Sequence, residues 1–117
     1  DAINRDGMHL GGSQGEHVVR VKAMHIYEVQ SFMRKPVDIA IICTKSYDTE
    51  WATWLAKGCV KPDGAFVSAQ NGINDERIGA IAGRDRTLGC VVTISAGMYE
   101  PGHVIRTDTN QVGFEIG

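Results

Sequence analysis

The chain has 117 residues, of which 43% are hydrophobic and 22% are charged, and its formal net charge is −2. This length predicts one domain with a real core, and the weak negative charge gives no reason to expect a nucleic acid as a partner. No apolar stretch approaches the roughly 18 residues of a membrane-spanning helix, so we expect no membrane partner.

The first third of the chain predicts a hairpin and a short helix. Polar and apolar residues alternate over Gly7 to Leu10 and over His17 to His25, which predicts two antiparallel strands around the glycine-rich segment Gly11 to Gly15. This segment lacks G-x-G-x-x-G spacing and leads into a strand pattern, so it does not indicate a phosphate loop. Tyr27 to Met33 predicts one or two helical turns, which Pro36 ends.

The middle of the chain predicts a parallel βαβ unit. Val37 to Cys43 is an apolar, β-branched run without alternation, which is typical of a strand covered on both faces. A helix follows to about Lys57, and glycine and proline between Gly58 and Gly64 predict a turn into a second strand, Ala65 to Ala69. The large apolar side chains that we expect to pack this helix on the sheet are those of Trp51, Trp54 and Leu55.

The last part of the chain predicts one more helix and strand, followed by a hairpin. Asn74 is the expected N-cap of a short helix that ends near Gly83, and Thr87 to Ala96 predicts a third strand. Val104 to Arg106 and Val112 to Ile116 predict a closing hairpin. The fold class that follows is α/β, with a mostly parallel sheet and antiparallel hairpins at its ends.

Three cysteines and four histidines show no metal-ligand spacing, so we predict no metal site. An odd number of cysteines without C-x-x-C spacing favours reduced thiols and a cytoplasmic location. Cys43 and Cys90 lie in apolar runs and are expected to be small buried residues. A catalytic thiol is the alternative, although no histidine lies at an obvious partner position.

Two polar residues follow the predicted parallel strands, and they are the best indication of function. Lys45 follows the first strand and Asn71 the second. Ligands of parallel sheets bind beyond the carboxyl ends of the strands, so we expect both residues to lie at one site. A lysine there offers a point charge to phosphate or carboxylate, and an asparagine both donates and accepts hydrogen bonds. The structural alternatives are a solvated lysine and a turn asparagine beside Gly72.

Five segments of the chain follow one another in a characteristic order. They are residues 41–49 (IICTKSYDT), 70–73 (QNGI), 88–96 (LGCVVTISA), 101–104 (PGHV) and 116–117 (IG). Their order and spacing cover nearly the whole chain, with a weaker start at residues 4–7. Together they resemble the cofactor-binding domain of the ketopantoate reductase (2-dehydropantoate 2-reductase) family.

The resemblance implies a Rossmann-like domain that binds NADP and serves the reduction of 2-dehydropantoate, a 2-keto acid, to (R)-pantoate on the route to pantothenate and coenzyme A. It assigns Lys45 and Asn71 to the dinucleotide and Asn71 also to the substrate. It places the main chain of Ser95 and Ala96 near the nicotinamide carboxamide. No catalytic residue is expected in this chain, because the family's acid lysine belongs to a second, helical domain.

The family's first strand, its glycine-rich loop, its second strand and its helical domain have no counterpart in the sequence. We therefore expect residues 1–117 to be an incomplete Rossmann-like sheet, inactive alone, whose strand Val37 to Cys43 presents an open edge that favours a homo-oligomer. The choice between NADP and NAD normally depends on residues after that second strand. Two alternatives stay open: another two-domain oxidoreductase of a keto acid, opine or sugar acid, and a non-catalytic module of this fold.

Overall fold

The computed structural model describes all 117 residues, and they form two compact units. The smaller unit consists of Asp1–His25 and Thr93–Gly113, and the larger unit of Ile26–Val92 and Phe114–Gly117. The strands are β1 (Met8–Gly12), β2 (His17–Val19), β3 (Val37–Ile42), β4 (Val60–Ser68), β5 (Thr87–Val92), β6 (Ala96–Glu100), β7 (His103–Arg106) and β8 (Phe114–Ile116). The α-helices are α1 (Ala2–Asp6), α2 (Gln30–Arg34), α3 (Thr49–Lys57) and α4 (Asp75–Ala82).

The larger unit is built on a four-stranded sheet with the order β3-β4-β5-β8. β3, β4 and β5 are parallel, and α3 and α4 form the two crossovers between them. β8 is antiparallel to β5, with Cys90 opposite Ile116. The predicted parallel βαβ arrangement is therefore confirmed, including the position of β3 at the sheet edge.

The core of the larger unit is formed by β3, β4 and the two crossover helices. Phe66 on β4 and Ile78 on α4 are both 0% exposed, and Ile42 on β3 is 5% exposed. Ala52, Val60 and Ala82 complete the buried apolar cluster. Burial of large apolar side chains on the central strand is the main stabilising contribution in this unit.

The expected orientation of α3 is wrong. Trp51 and Trp54 are 55% and 62% exposed, and the buried residues of the helix are Thr49, Ala52 and Thr53. The small side chains at this i, i+3, i+4 spacing let the helix backbone approach the sheet closely, which two tryptophans would prevent. The hydroxyl of Thr53 donates to the Thr49 carbonyl at 2.6 Å, so the buried polar atoms of this face are paired.

Two further expectations for β3 are corrected by the structure. Its outer residues Ile39 and Ile41 are 58% and 59% exposed, so the strand is covered on one face only. Cys43 is exposed and Cys90 is half-buried, whereas Cys59 is the buried cysteine. Cys43 lies just beyond the end of β3, where the polypeptide leaves the covered part of the sheet.

β4 begins five residues earlier than predicted. Residues 60–64 continue the strand through Pro62 instead of forming only a turn, and the pairing with β3 shifts register between Val37 and Ile39. Pro62 is tolerated because β5 pairs with β4 only from Phe66 onward. A Cβ atom on Gly64 would lie 2.5 Å from the carbonyl oxygen of Asp38, so only glycine fits at this irregularity.

The smaller unit contains a second four-stranded sheet, with the order β2-β1-β7-β6. The predicted hairpin of β1 and β2 is confirmed, although β2 ends at Val19. The predicted closing hairpin is wrong, because β7 pairs with β6 and β8 pairs with β5. Pro101-Gly102, with Gly102 at φ +83, forms a tight turn that brings β6 beside β7. The predicted third strand, Thr87 to Ala96, is shorter in the structure: β5 ends at Val92, and Ala96 is the first residue of β6.

None of the helices is both long enough and apolar enough to cross a membrane.

Candidate functional site

Two polar loops meet at the carboxyl ends of β3 and β4. Lys45 lies three residues after the end of β3, and Asn71 lies three residues after the end of β4. The Oγ hydroxyl of Ser46, the neighbour of Lys45, donates a hydrogen bond to the Asn71 carbonyl at 3.0 Å. The β3–α3 loop (residues 43–48) and the β4–α4 loop (residues 69–74) are therefore in direct contact, as the sequence predicted for Lys45 and Asn71.

Lys45 is the last extended residue before a turn. Its φ and ψ are −63° and 150°, and its carbonyl accepts a hydrogen bond from the Asp48 N–H at 2.9 Å. This bond starts the single 3-10 turn Ser46–Asp48 that leads into α3. The Lys45 side chain is exposed, so its ammonium is accessible to an anionic group of a ligand.

Asn71 has a fixed main chain and an exposed side chain. Its carbonyl accepts hydrogen bonds from Ser46 Oγ and from Asn74 Nδ2, both at 3.0 Å. Gly72 follows at φ +86, a conformation that residues with a Cβ atom rarely adopt. The nearest atom to the position that a Cβ would occupy, beyond its chain neighbours, is Asn74 Nδ2 at 3.7 Å, so the backbone angle and not a lack of space requires glycine.

Gln70 supports the site from inside the unit. Its side chain is 8% exposed and donates to the Thr44 carbonyl at 2.7 Å and to Thr49 Oγ1 at 3.0 Å. Gln70 is thus turned inward, whereas Asn71 beside it is exposed. These bonds connect the end of β4 to the end of β3 and the start of α3.

Sequence reasoning did not identify three residues that support the site. They are Ser46, Asn74 and Arg77, and each donates a hydrogen bond to the main chain of residue 46 or 71. Asn74 does occupy the predicted N-cap position of α4, but its side chain makes no cap hydrogen bond. The position of Asn74, three residues after Asn71, was the only feature of the sequence that could have indicated its supporting role. The same position is equally typical of an ordinary helix N-cap.

A cavity of about 470 Å³ lies beside Gly72, within the size range of small-molecule sites. Its lining includes Ser68 at the end of β4, Cys90 on β5, and the acidic residues Asp75 and Glu115. Two carboxylates disfavour a phosphate group and favour hydroxyl or amide donors. The cavity therefore suits a neutral, hydrogen-bonding part of a ligand.

Ser95 and Ala96 belong to the smaller unit. The Ser95 N–H donates to Asp108 Oδ2 at 2.6 Å, and its carbonyl accepts from the Thr107 N–H at 2.8 Å. Ala96 begins β6 opposite Arg106. The same carbonyl also accepts from Thr107 Oγ1 at 3.2 Å, so the N–H and the carbonyl of Ser95 are both engaged within their own unit.

Asp108 organises this part of the smaller unit. The guanidinium of Arg106 donates to Asp108 Oδ1 at 2.8 Å, and the Asn110 N–H donates to the same oxygen at 2.9 Å. The bond from Arg106 lowers the pKa of Asp108 far below its ordinary value, and the N–H groups of Ser95 and Asn110 lower it further.

Acid should therefore remove a stabilising contribution that depends on Asp108. A lowered folded-state pKa stabilises the fold fully above the unfolded pKa of about 4, and the contribution is lost as the pH falls towards the folded-state value. We expect the melting temperature, followed by circular dichroism, to fall more steeply below about pH 4 in the wild type than in Asp108→Asn. The pKa values of Asp6 and Asp38 are also lowered. Because the wild type and Asp108→Asn both contain these two residues, they contribute equally to the two melting curves.

Asp63→Asn is the matched control, because Asp63 is an exposed carboxylate on β4. It should keep the wild-type acid dependence. Parallel curves for the wild type and Asp108→Asn would show that the Asp108 cluster does not contribute to acid sensitivity.

The comparisons with known proteins agree with this architecture. The profile of the family described as "Ketopantoate reductase PanE/ApbA" matches residues 1–117. The 2-dehydropantoate 2-reductase from Geobacter metallireducens GS-15 is similar over 100% of this chain and 38% of its own, with 21% identity and a TM-score of 0.83. A PanE/ApbA family ketopantoate reductase from Ralstonia eutropha JMP134 is similar over 90% of this chain and 34% of its own, with 24% identity and a TM-score of 0.75.

A third solved structure is D-mandelate dehydrogenase in a ternary structure with NADH and anilino(oxo)acetate. It covers 92% of this chain and 34% of its own, with 21% identity and a TM-score of 0.79. The chain thus spans a little more than a third of the length of these proteins. The predicted α/β, Rossmann-like fold class is confirmed, and the profile that matches every residue shows that the chain belongs to the ketopantoate reductase PanE/ApbA family.

Proposed function

We propose that the protein containing this chain is an NAD(P)-dependent reductase of a small 2-keto acid, and that its specific reaction is the reduction of 2-dehydropantoate to (R)-pantoate with NADPH. The observation that carries the proposal is the direct contact between the Lys45 loop and the Asn71 loop at the carboxyl ends of two parallel strands. This is the place at which doubly wound sheets bind nucleotides. Family membership supports the same reaction class.

The residues present fit a dinucleotide at this edge of the sheet. Lys45 presents an exposed ammonium that would bind an anionic group of the cofactor, such as a phosphate. Asn71 presents an exposed carboxamide that would hold a ribose hydroxyl through its oxygen and a substrate oxygen through its N–H. The assignment of Ser95 and Ala96 to the carboxamide of the nicotinamide stays a prediction from the resemblance.

The contribution of this chain to the reaction is binding and orientation. The nicotinamide supplies the hydride for the keto carbon when it is bound. Asn71 would stabilise the negative charge that develops on the keto oxygen, because its N–H groups are held on a loop whose main chain is fixed by two hydrogen bonds. Lys45 is not proposed as the acid that protonates this oxygen, since the resemblance places that lysine in the second domain.

A substrate panel tests the proposal on the intact protein. The oxidation of NADPH and of NADH would be followed with 2-dehydropantoate, an aryl 2-keto acid, a 2-keto acid together with an amino acid as opine precursors, and a keto sugar acid. We expect the highest kcat/KM with 2-dehydropantoate and NADPH. A higher kcat/KM with another acid or with NADH would refute the specific reaction, but the broader proposal of a keto acid reductase would still hold. Failure to bind or oxidise either cofactor would favour a non-catalytic module.

A further inference from the structure

We propose that Asn74 is a positioning residue that holds Lys45 and Asn71 at the separation required for the nicotinamide cofactor. The inference deepens the proposed function and rests on it. It concerns a residue that touches neither the cofactor nor the substrate and acts through the two loops that carry Lys45 and Asn71.

The amide nitrogen of Asn74 connects both loops. Nδ2 donates to Ser46 Oγ on the β3–α3 loop and to the Asn71 carbonyl on the β4–α4 loop, each at 3.0 Å. Because Ser46 Oγ also donates to the Asn71 carbonyl at 3.0 Å, these three groups form a closed hydrogen-bonded ring. A closed ring resists separation of the loops better than one bond, since each bond limits the motion of the other two.

The amide oxygen of Asn74 fixes the direction of these donors. Oδ1 accepts from Arg77 Nη1 at 3.3 Å, and it lies 3.4 Å from Thr49 Oγ1, whose single proton goes to the Ser46 carbonyl at 2.8 Å. Arg77 Nη1 also donates to the Ser46 carbonyl at 2.7 Å, and the guanidinium pairs with Glu50 at 3.3 Å. With the oxygen facing α3 and Arg77, the nitrogen faces the two loops.

Asn74 performs this connection instead of the usual task of an N-cap residue. An asparagine at this position ordinarily accepts a hydrogen bond from an N–H group of the first helical turn. No such side-chain bond is present here, although the Asn74 carbonyl accepts the helical bond from the Ile78 N–H at 3.0 Å. The side chain is 3% exposed, so its polar atoms depend on the loop contacts for their hydrogen bonds.

The consequence for the cofactor follows from geometry. Lys45 and Asn71 are both exposed, and the contacts that relate them pass through Ser46 and the Asn71 carbonyl. A displacement of about 1 Å in a binding group can cost roughly 10²-fold in rate. A change at Asn74 should therefore weaken cofactor binding although the Lys45 and Asn71 side chains are themselves chemically unaltered.

Asn74→Asp separates positioning from capping. The carboxylate keeps an oxygen for Arg77 and is a good N-cap, but it has no N–H for Ser46 or Asn71. In the intact protein we expect the KM for NADPH to rise about tenfold or more. We also expect faster amide hydrogen exchange in residues 43–48 and 69–74, because the ring that joins these loops is broken.

Thr53→Ala is the matched control. Thr53 is 0% exposed and donates to the Thr49 carbonyl, so its loss removes a buried hydrogen bond without touching either loop. This variant should lower the melting temperature but leave the KM for NADPH and the loop exchange unchanged. Ser46→Ala combined with Asn74→Asp should raise the KM little beyond Asn74→Asp alone, because both changes open the same ring.

Unchanged loop exchange in Asn74→Asp, or faster exchange with an unchanged KM, would overturn the positioning role. An equal change of KM in Thr53→Ala would also overturn it, since general destabilisation would then suffice. A wild-type protein that binds neither NADPH nor NADH would refute the proposed function and the positioning role with it, while the exchange data would still decide whether Asn74 joins the loops.

Discussion

Replacing Asn71 by alanine in the intact protein should lower kcat by about 10²-fold, which is the usual effect of removing one donor from a developing oxyanion. The side chain of Asn71 is exposed at the ends of the parallel strands, and its amide is the group of this chain proposed to approach the substrate oxygen. The carbonyl that accepts from Ser46 and Asn74 belongs to the main chain and is retained in the variant. The loop should therefore keep its position, and steady-state kinetics measures the effect.

Ile73→Ala is the appropriate comparison for Asn71→Ala, since Ile73 lies in the same loop and its side chain is 83% exposed. It should change kcat by less than about twofold, because an exposed apolar side chain makes no directional contact with a reacting oxygen. Equal kinetics of Asn71→Ala and the wild type would exclude a role for the Asn71 amide in the chemical step. A rise in KM with kcat unchanged would restrict Asn71 to ground-state binding.

Replacing Phe66 by alanine should destabilise the larger unit by about 3–5 kcal/mol. Phe66 is 0% exposed on β4, which is an interior strand paired with β3 on one side and β5 on the other. The Arg86 guanidinium lies 5.5 Å from the ring centroid and donates to the carbonyls of Gly64 and Lys61 at 2.7 Å. Alanine would leave a cavity next to this anchored arginine, which limits how far the surroundings can collapse.

Urea denaturation followed by circular dichroism measures the free energy of unfolding for this comparison. Trp54→Ala is the control, because Trp54 is a larger aromatic residue that is 62% exposed. Its ring lies 5.1 Å from Lys57 Nζ, a contact worth about 0.5–1 kcal/mol at an exposed site. We expect Trp54→Ala to cost no more than about 1 kcal/mol. Equal losses in the two variants would mean that α3 packs through its tryptophans after all.

The meeting of the Lys45 and Asn71 loops could be predicted because parallel pairing alone specifies it, whereas the binding roles of these two residues stay predictions. Residues that follow two adjacent parallel strands must emerge at the same edge of the sheet, whatever the side chains between them. The apolar runs of β3 and β4 and the helical pattern between them predicted that pairing, and the structure brings the Lys45 and Asn71 loops into contact. The hydrogen-bonded ring of Ser46, Asn71 and Asn74 could not be predicted in this way. An asparagine at an N-cap position can either cap the helix or join the two loops, and the sequence is the same in both cases.

Local patterns by themselves determined the βαβ order of the larger unit and the β1–β2 hairpin, because each depends on neighbouring residues and on short connections. The edge position of β3 was expected from the family resemblance and not from a local pattern. Only the tertiary structure decided which face of α3 is buried, since the same helix offers both tryptophans and small residues at i, i+3, i+4 spacing. It also decided that β8 pairs with β5 and that β7 pairs with β1, because distant strands compete for the same edges and local propensity does not rank them.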